Sequence, residues 1–361
     1  MKEALRQARR GLSRTSPNPL VGAVIVSDGK IIAKGYHHGA GMPHAEIEAL
    51  QQLGGKAENA TLYVNLEPCN HHGRTPPCTE VILKSGIKRV VVGMKDPNPD
   101  VPGNGCSYLA NKGIDVTIGV LETECRKLNE AFVKFITRKR PFVVIKSAMT
   151  MDGWTATTKG HSKWITNEKS RHFVHRLRDR ADAVMVGIGT VIADNPKLTT
   201  RLKRGKGRDP LRIVLDTNLR MPHDAEIIQQ KSSAMTMIVV GSHVTKKNLD
   251  GFLMDGVFAQ VCDTMEGMID LEDLLDKLGE MDINYLLVEG GSTVCGSLIR
   301  RRLADKFYLF KAPKLLGGDN GIPMAAGNGP ESMDDVVLLK DIEIKRFGDD
   351  ILVIGYPDYF S

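Results

Sequence analysis

The chain has 361 residues, a length that predicts about two domains, each able to bury its own core. Its composition is 42% hydrophobic and 25% charged, with no apolar run near the roughly 18 residues of a membrane span and no leader-like start, so we expect a cytoplasmic protein without membrane contact. The net charge of +6 is mild and dispersed, which fits a small phosphorylated substrate as well as it fits nucleic acid.

The first part of the chain alternates between strand and helix patterns. Short apolar runs predict strands at 20–26, 30–36, 60–66, 89–94 and 114–120, the first two forming a hairpin across 27–29. Apolar residues at helical spacing predict helices at 44–53, 78–86 and 122–138, the last as one unbroken element. This alternation, with parallel-type connections, predicts a three-layer α/β/α domain.

A basic stretch at 137–140 meets Pro141 directly before a new strand pattern. We place the domain boundary there, which gives domains of 1–139 and 140–361. The second domain repeats the alternation, with strands predicted at 142–149, 181–187, 211–216, 234–241, 256–262, 283–290, 306–316 and 350–356 and helices at 167–179 and 271–280. It is therefore predicted to be a second α/β domain.

Two of the six cysteines lie in a short stretch beside histidines, in a pattern that predicts a zinc site. His44 is followed by Glu46, and Glu67-Pro68-Cys69 is followed by Cys78 after eight intervening residues. His-x-Glu with Pro-Cys and a second Cys is the general signature of zinc-dependent deaminases. One histidine and two cysteines supply three ligands and leave the fourth tetrahedral position open for water, whose pKa zinc lowers.

Glu46 is the candidate that moves a proton from that water to the departing amine nitrogen. Residues i and i+2 point about 200° apart inside a helix, so His44 and Glu46 can share one site only at a helix start, where Pro43 is favoured. The alternative is a structural zinc site with His71 or His72 as a fourth ligand. His37 and His38 could border the site, although surface positions in a turn are the simpler interpretation.

Three segments together closely resemble the bifunctional riboflavin biosynthesis deaminase–reductase family. They are Thr15–Gly22, His44–Glu46 and Glu67–Cys78. The long spacing between Cys69 and Cys78 resembles this family rather than cytidine or tRNA adenosine deaminases, which carry a short Cys-x-x-Cys. The resemblance implies a cytidine-deaminase-like three-layer domain with one Zn²⁺, in which Asn18 and His71 lie near the pyrimidine of a small ribotide phosphate.

The second domain carries further motifs of the same family. They are Lys146–Gly153, Ser162–Thr166, Gly189–Val191, Asp194–Pro196, Leu198–Arg201, Leu215–Thr217 and Val288–Gly291. The resemblance implies a dihydrofolate-reductase-like α/β fold that uses NADPH. It implies an NADPH site of Ala148, Trp164, Thr190, Asp194, Thr217, Gly291, Ser292, Thr293, Val294, Cys295, Gly296 and Ser297. It implies a substrate site of Ser162, Arg178, Leu198, Arg201 and Glu289.

The residues themselves support part of this assignment. A G-x-G-x-x-G fingerprint is absent, but glycines open predicted helices at 187–189 and 290–291, where free backbone N–H groups can bind phosphate. Each junction alone is better explained by a tight turn between strand and helix. Arg178 and Arg201 could hold the substrate phosphate bidentately, and Trp164 could stack on a flat ring. Without the motifs, solvated surface arginines would be the favoured interpretation, and the alternative for Trp164 is plain core packing.

Three hypotheses for function follow. The first is a bifunctional enzyme that hydrolytically deaminates 2,5-diamino-6-ribosylamino-4(3H)-pyrimidinone 5′-phosphate and then reduces its ribosyl group with NADPH, without nucleic acid, as a homo-oligomer. The second is a nucleic-acid base deaminase with a fused basic domain, which would carry Cys-x-x-Cys and a basic face. The third is a non-enzymatic zinc module, which would need a fourth ligand and would tolerate loss of Glu46.

Overall fold

A computed structural model describes residues 1–71, 76–99 and 104–359. The chain divides into two compact units, Met1–Arg140 and Pro141–Ser361. Among the described residues, none of the helices combines the length and apolar composition that crossing a bilayer requires. His72, one alternative fourth zinc ligand, lies outside the described residues.

The first unit is built on one mixed sheet. Its strands are β1 (Gly22–Ser27), β2 (Lys30–Tyr36), β3 (Thr61–Leu66), β4 (Arg89–Met94) and β5 (Asp115–Ile118). Its helices are α1 (Lys2–Ala8), α2 (Ala45–Gln51), α3 (Cys78–Lys84), α4 (Gly105–Asn111), α5 (Glu122–Leu128) and α6 (Glu130–Arg138), with a 3₁₀ turn at Arg9–Gly11. The strand order is β2-β1-β3-β4-β5. The predicted hairpin is confirmed, and β1 runs antiparallel to both neighbours while β3, β4 and β5 are parallel.

Two separate cores show that helices cover both faces of this sheet. The larger core joins strand residues to α2, α3 and α4 through side chains such as Leu50, Ile82 and Leu109. The smaller core joins strand ends to α1 and α5 through Leu5 and Cys125. The predicted three-layer arrangement is therefore confirmed.

The unbroken helix predicted over 122–138 is wrong, because the chain breaks at Asn129. Asn129 is buried, and its side chain turns away from the helix to bind the backbone of Leu20. The Leu20 N–H donates to the Asn129 Oδ1 over 2.8 Å, and the Asn129 Nδ2 donates to the Leu20 carbonyl over 3.0 Å. The helix is interrupted so that this amide can fix a loop more than a hundred residues earlier.

The second unit is built on a larger sheet. Its strands are β6 (Phe142–Thr150), β7 (Trp154–Ala156), β8 (Ala183–Gly187), β9 (Leu211–Leu215), β10 (Thr236–Gly241), β11 (Val257–Cys262), β12 (Thr264–Met265), β13 (Met268–Ile269), β14 (Tyr285–Val288), β15 (Lys306–Ala312), β16 (Ile322–Pro323), β17 (Leu338–Phe347) and β18 (Asp350–Asp358). Its helices are α7 (Glu168–Arg180), α8 (Ile188–Asp194), α9 (Glu226–Gln229), α10 (Lys246–Leu249), α11 (Leu271–Glu280) and α12 (Ser292–Arg300), with a 3₁₀ turn at Met333–Asp335. The main sheet has the order β11-β10-β9-β8-β14-β6-β15-β18-β17.

Neighbouring strands of this sheet are parallel from β11 to β15. Only β18 runs antiparallel to its two neighbours, β15 and β17. Because the strands are parallel, their carboxyl ends lie along one edge, the place where ligands bind in open α/β sheets. Ala148 near the end of β6, Thr217 after β9 and Glu289 after β14 are therefore brought to the same edge. The sheet thus assembles residues that are widely separated in the sequence.

Candidate active sites

Three zinc-ligand side chains predicted from the sequence meet in the first unit. The Nδ1 of His44 lies 3.2 Å from the Sγ of Cys78 and 3.5 Å from the Sγ of Cys69. A tetrahedral zinc with bonds of about 2.05 Å to nitrogen and about 2.3 Å to sulfur requires N-to-S separations of about 3.6 Å. The donor set and its spacing therefore fit one zinc ion.

No fourth side chain joins this group within 1–71, 76–99 and 104–359. His71, the other alternative ligand, is exposed and is not a member of the cluster. A structural zinc site has four protein ligands, whereas three ligands leave a position for water. Three ligands among the described residues match the arrangement of a catalytic site.

The helix that carries His44 packs unusually close to the sheet. His44 is the N-cap of α2 and has an extended backbone, so it and Glu46 both fit the same site, as predicted for a helix start. Gly35 on β2 makes this possible, because a Cβ there would lie 2.2 Å from the Ala45 carbonyl oxygen and 2.7 Å from the Ala49 nitrogen. The absent side chain lets the backbone of α2 lie directly on the strand.

The two cysteines are held by a loop with its own hydrogen bonds. Cys78 is the first residue of α3, and its backbone N–H donates to the Sγ of Cys69 over 3.3 Å. The segment before Cys69 is fixed by the Glu67 carboxylate, which accepts the Cys106 N–H over 2.9 Å and the Asp96 N–H over 3.1 Å. Backbone donors thus fix Glu67 and the Sγ of Cys69, and the start of α3 places Cys78 next to it.

The charges of the site favour a thiolate next to a cation. Hydrogen bonds from Cys78 and His44 lower the pKa of Cys69 to about 4, against the effect of burial. The bond to Cys69 raises the pKa of His44 to about 9. Metal ligands must give up such protons, so the site exchanges protons for a divalent cation when zinc binds.

Glu46 is buried beside this cluster, with 3% of its surface exposed. Burial raises the pKa of its carboxyl group to about 7, and the charge of His44 opposes that effect. A carboxyl group with a pKa near neutrality can both accept and return a proton. Its position and environment suit the proton transfer that we predict for it.

Asn18 reaches the site through a histidine that sequence reasoning assigned to the surface. That assignment is wrong for His37, which is 3% exposed, whereas His38 is exposed as expected. The Nδ1 of His37 donates to the Pro43 carbonyl over 3.1 Å, which leaves its Nε2 to accept from the Asn18 amide at 3.0 Å. Burial lowers the pKa of His37, consistent with this neutral form. His37 therefore fixes the orientation of the Asn18 amide.

The second unit has a buried charged cluster at the end of β14. Glu289 accepts from the Nε and Nη2 of Arg178 over 2.5 and 2.9 Å, and the Nζ of Lys146 lies 3.1 Å from the same carboxylate. Burial alone would raise the pKa of Glu289, but the charges of Arg178 and Lys146 lower it to about 2. Lys146 was not singled out from the sequence, although it opens one of the motifs quoted above.

The guanidinium of Arg178, which is predicted to hold the substrate phosphate, is paired with a carboxylate in this structure. Its guanidinium fork is engaged by Glu289, and its Nη1 donates to the Thr199 carbonyl over 3.0 Å. The fork can match only one carboxylate or phosphate at a time. Arg178 instead positions Glu289, while Arg201 remains exposed next to His175.

The segment predicted to bind NADPH at the start of α12 only partly faces a cavity. Gly291, Thr293, Val294 and Ser297 line a cavity of about 450 Å³, together with Thr217. Cys295 is instead buried in the core, and a Cβ at Gly296 would lie 2.0 Å from the Ala326 carbonyl oxygen. The Ser292 hydroxyl donates to the Pro323 carbonyl over 2.7 Å. Those three residues shape the helix start rather than present a side chain to the cavity.

The remaining predicted residues do not line this cavity. The Ser162 hydroxyl donates to the Asp194 carboxylate over 3.1 Å, so a predicted substrate residue and a predicted cofactor residue are in contact. Trp164 is 64% exposed with the Arg171 guanidinium 4.5 Å from its ring, which excludes simple core packing. Ala148 and Thr190 are half-buried, whereas Leu198 is only 4% exposed.

Comparison with known proteins settles the family. Residues 141–353 match the RibD C-terminal domain, and residues 1–94 match the cytidine and deoxycytidylate deaminase zinc-binding region. The riboflavin biosynthesis protein RibD of Actinobacillus pleuropneumoniae is 43% identical over 353 residues, which cover 98% of this chain and 93% of that protein. The chain belongs to the RibD family. The Escherichia coli RibD is 38% identical over 97% of this chain and 96% of its own length.

Solved RibD structures agree with the fold. A diaminohydroxyphosphoribosylaminopyrimidine deaminase/5-amino-6-(5-phosphoribosylamino)uracil reductase from Thermotoga maritima is 39% identical, with a TM-score of 0.86 over 99% of this chain and 97% of that chain. The RibD of Acinetobacter baumannii is 37% identical, with a TM-score of 0.87 over 99% and 97% of the two chains. The zinc-binding deaminase domain and the RibD reductase domain predicted from the sequence are both present.

Proposed function

We propose that this protein is a bifunctional enzyme of riboflavin biosynthesis that deaminates a pyrimidine ribotide in its first domain and reduces the sugar in its second. The substrate is 2,5-diamino-6-ribosylamino-4(3H)-pyrimidinone 5′-phosphate. The observation that carries the proposal is the three-ligand His44, Cys69 and Cys78 cluster with buried Glu46 beside it. Similarity to RibD proteins over 98% of the chain supports the same pair of reactions and does not favour a nucleic-acid deaminase.

In the deaminase domain, proposed as 1–139, His44, Cys69 and Cys78 hold the zinc. Bound zinc lowers the pKa of a water in the open position. Glu46 would take a proton from that water and give it to the amine nitrogen, while the remaining hydroxide bonds to the ring carbon and the C–N bond breaks to release ammonia. Asn18, held by His37, contacts the pyrimidine, and His71 borders the same site.

In the reductase domain, proposed as 140–361, the described residues divide between two ligands. NADPH supplies the hydride that converts the ribosyl group into ribityl. Ala148, Trp164, Thr190, Asp194 and Thr217 contact the cofactor together with the α12 residues that line the cavity. Glu289, held by Arg178 and Lys146, contacts the substrate with Ser162 and Leu198, and Arg201 contacts its phosphate.

The test separates the two activities with matched variants. Glu46→Gln should retain one zinc per chain and lose ammonia release, while NADPH oxidation on the deaminated substrate survives. Glu48→Gln is the matched control, since it lies on the same helix but its carboxylate binds the Tyr36 N–H and His38. It should deaminate at the parent rate. Deamination by Glu46→Gln at the parent rate would show that Glu46 has no catalytic role.

We further propose that the enzyme works in the cytoplasm as a homo-oligomer that does not bind nucleic acid. The support is the dispersed net charge of +6 and a substrate and cofactor that are small phosphorylated metabolites. Light scattering coupled to gel filtration gives the oligomeric state, and a gel-shift assay with RNA and DNA tests for nucleic-acid binding. A monomeric mass would contradict the homo-oligomer, and a salt-sensitive gel shift would show that the protein binds nucleic acid.

A further inference from the structure

The cavity in the second unit contains an arginine that none of the sequence motifs identified. The cavity lies at the carboxyl ends of β8 and β9, beside the start of α12, and its volume of about 450 Å³ suits part of a small-molecule ligand. Its lining includes Gly187, Thr217, Arg220 and Gly291. Arg220 follows β9 by a few residues, on the loop that begins at Asp216.

Three arginines line this cavity, and two of them are already engaged. Arg300 donates to the Ala326 carbonyl over 2.7 Å, and Arg301 binds the Asp270 carboxylate over 2.7 Å. In the part of the chain that the structure describes, the guanidinium of exposed Arg220 makes no hydrogen bond or close ion pair, and the only charge that acts on it is that of the buried Asp216 carboxylate, which already accepts two backbone N–H groups. Arg220 is therefore the lining arginine with a fork free for a ligand.

The backbone of the loop that carries Arg220 is fixed by hydrogen bonds to Asp216. The carboxylate of Asp216, which is 0% exposed, accepts the Arg220 N–H over 2.8 Å and the Met221 N–H over 2.7 Å. The Leu219 N–H also donates to the Asp216 carbonyl over 3.0 Å. A backbone fixed in this way lowers the entropy that is lost when the side chain binds a ligand.

The strand order places Arg220 at a useful distance from the reacting end of the cofactor. The substrate cluster of Lys146 and Glu289 lies on β6 and after β14, whereas Arg220 follows β9, which is separated from β6 by β14 and β8. Three strand spacings amount to about 14 Å along the edge of the sheet. The Gly291 end of α12 lies between these points and lines the same cavity. A dinucleotide with its nicotinamide near Ala148, at the end of β6, therefore has its adenosine near Arg220.

We propose that Arg220 binds the 2′-phosphate of NADPH and so selects NADPH over NADH. This proposal rests on the proposed reductase function. The two cofactors differ only in that phosphate, and a guanidinium fork matches its oxygens bidentately. Thr217 also lines the cavity and its hydroxyl can add a hydrogen bond, whereas the Glu266 carboxylate on the β12–β13 turn would repel a phosphate placed next to it.

The test measures binding of each dinucleotide, without turnover. Arg220→Ala should weaken NADPH binding about ten- to a hundredfold, the range for loss of hydrogen bonds to a charged group, and leave the Kd for NADH within about twofold. Arg220→Lys should lose less NADPH affinity than Arg220→Ala, because lysine keeps the positive charge and lacks only the two-pronged hydrogen-bonding geometry of the guanidinium. Adenosine 2′,5′-bisphosphate should protect the parent against heat more than it protects Arg220→Ala.

Arg204→Ala is the matched control, because Arg204 is exposed and does not line the cavity. It removes the same charge and should leave both Kd values within about twofold of the parent. An equal loss of NADPH and NADH affinity in Arg220→Ala would place Arg220 on the shared pyrophosphate and overturn the proposal, as would no loss at all. Parent protein that binds neither dinucleotide would contradict the reductase function itself, and the proposal with it.

Discussion

Replacing Glu289 by glutamine removes the anion that faces both Arg178 and Lys146. The Arg178 side chain is 12% exposed and the Lys146 side chain is 13% exposed, so their charges are poorly compensated by solvent once the carboxylate is gone. Loss of one partner from a buried ion pair costs about 3–5 kcal/mol of the free energy of unfolding. The pKa of Glu289, lowered to about 2 by the charges of Arg178 and Lys146, points in the same direction.

The pH dependence follows from the sign of that shift. A carboxyl group with a lowered pKa stabilises the folded state fully above its unfolded pKa of 4.5, and the contribution is lost as the pH falls towards 2. Glu289→Gln should therefore be less stable than the parent at pH 7 and should lose less stability between pH 4.5 and pH 2. Glutamine can still accept hydrogen bonds from Arg178, so the loss at pH 7 should lie at the lower end of the range.

The assay is thermal unfolding of the full chain, followed by calorimetry. At about 2–4 °C per kcal/mol for a domain of this size, a loss of about 3 kcal/mol should lower the unfolding temperature by roughly 6–12 °C at pH 7. Glu343→Gln is the control, since its pair with Lys345 is 3.2 Å long but 49% and 42% exposed, and it should change stability by less than about 0.5 kcal/mol. A Glu289→Gln transition within about 2 °C of the parent would refute the reasoning.

Two further substitutions test how the first domain is held together. Gly35→Ala inserts a Cβ 2.2 Å from the backbone of α2, so the helix must shift by about an ångström, and zinc content should fall with deamination reduced about a hundredfold. Zinc analysis and an ammonia assay measure both losses. Gly329→Ala is the control, because a Cβ at Gly329 would lie in open space. Full zinc occupancy in Gly35→Ala would contradict the prediction. Asn129→Ala removes the partner of the Leu20 N–H and should lower the free energy of unfolding, measured with urea, by about 1–3 kcal/mol. Asn111→Ala, at an exposed position, is the control. Unchanged stability in Asn129→Ala would contradict the role of that hydrogen bond.

The zinc site was predictable because its signal is local. His44 and Glu46 are two residues apart at a helix start, and Cys69 and Cys78 flank one loop, so residue types and spacing indicate the chemistry before any fold is known. The strand and helix patterns succeeded for the same reason where apolar residues repeat regularly, as in α11.

What sequence reasoning missed depends on contacts between distant residues. Arg178 pairs with Glu289 across 111 positions, and Asn129 pairs with Leu20 across 109, so neither partner could be read from its neighbours. His37 is buried because the chain folds back over it and gives it Asn18 and Pro43 as partners.

Strand β17, at the antiparallel edge of the second sheet, was missed for a different reason. β17 carries Leu338, Ile342 and Ile344, which are 56%, 49% and 65% exposed, interspersed with charged residues. An edge strand with few buried positions lacks the apolar pattern by which strands are predicted. Its pairing with β18 is specified by the backbone, which the amino-acid pattern does not reveal.

The most direct test of the two-step activity is an ammonia assay on the parent protein with the pyrimidine ribotide, in the presence and absence of NADPH. One equivalent of ammonia should appear without NADPH, and later addition of NADPH should consume one equivalent of cofactor and convert the deaminated product to its ribityl form. Two results would contradict a deaminase that acts before the reductase. One is ammonia release that requires NADPH. The other is NADPH oxidation that is as fast with the amino substrate as with its deaminated product.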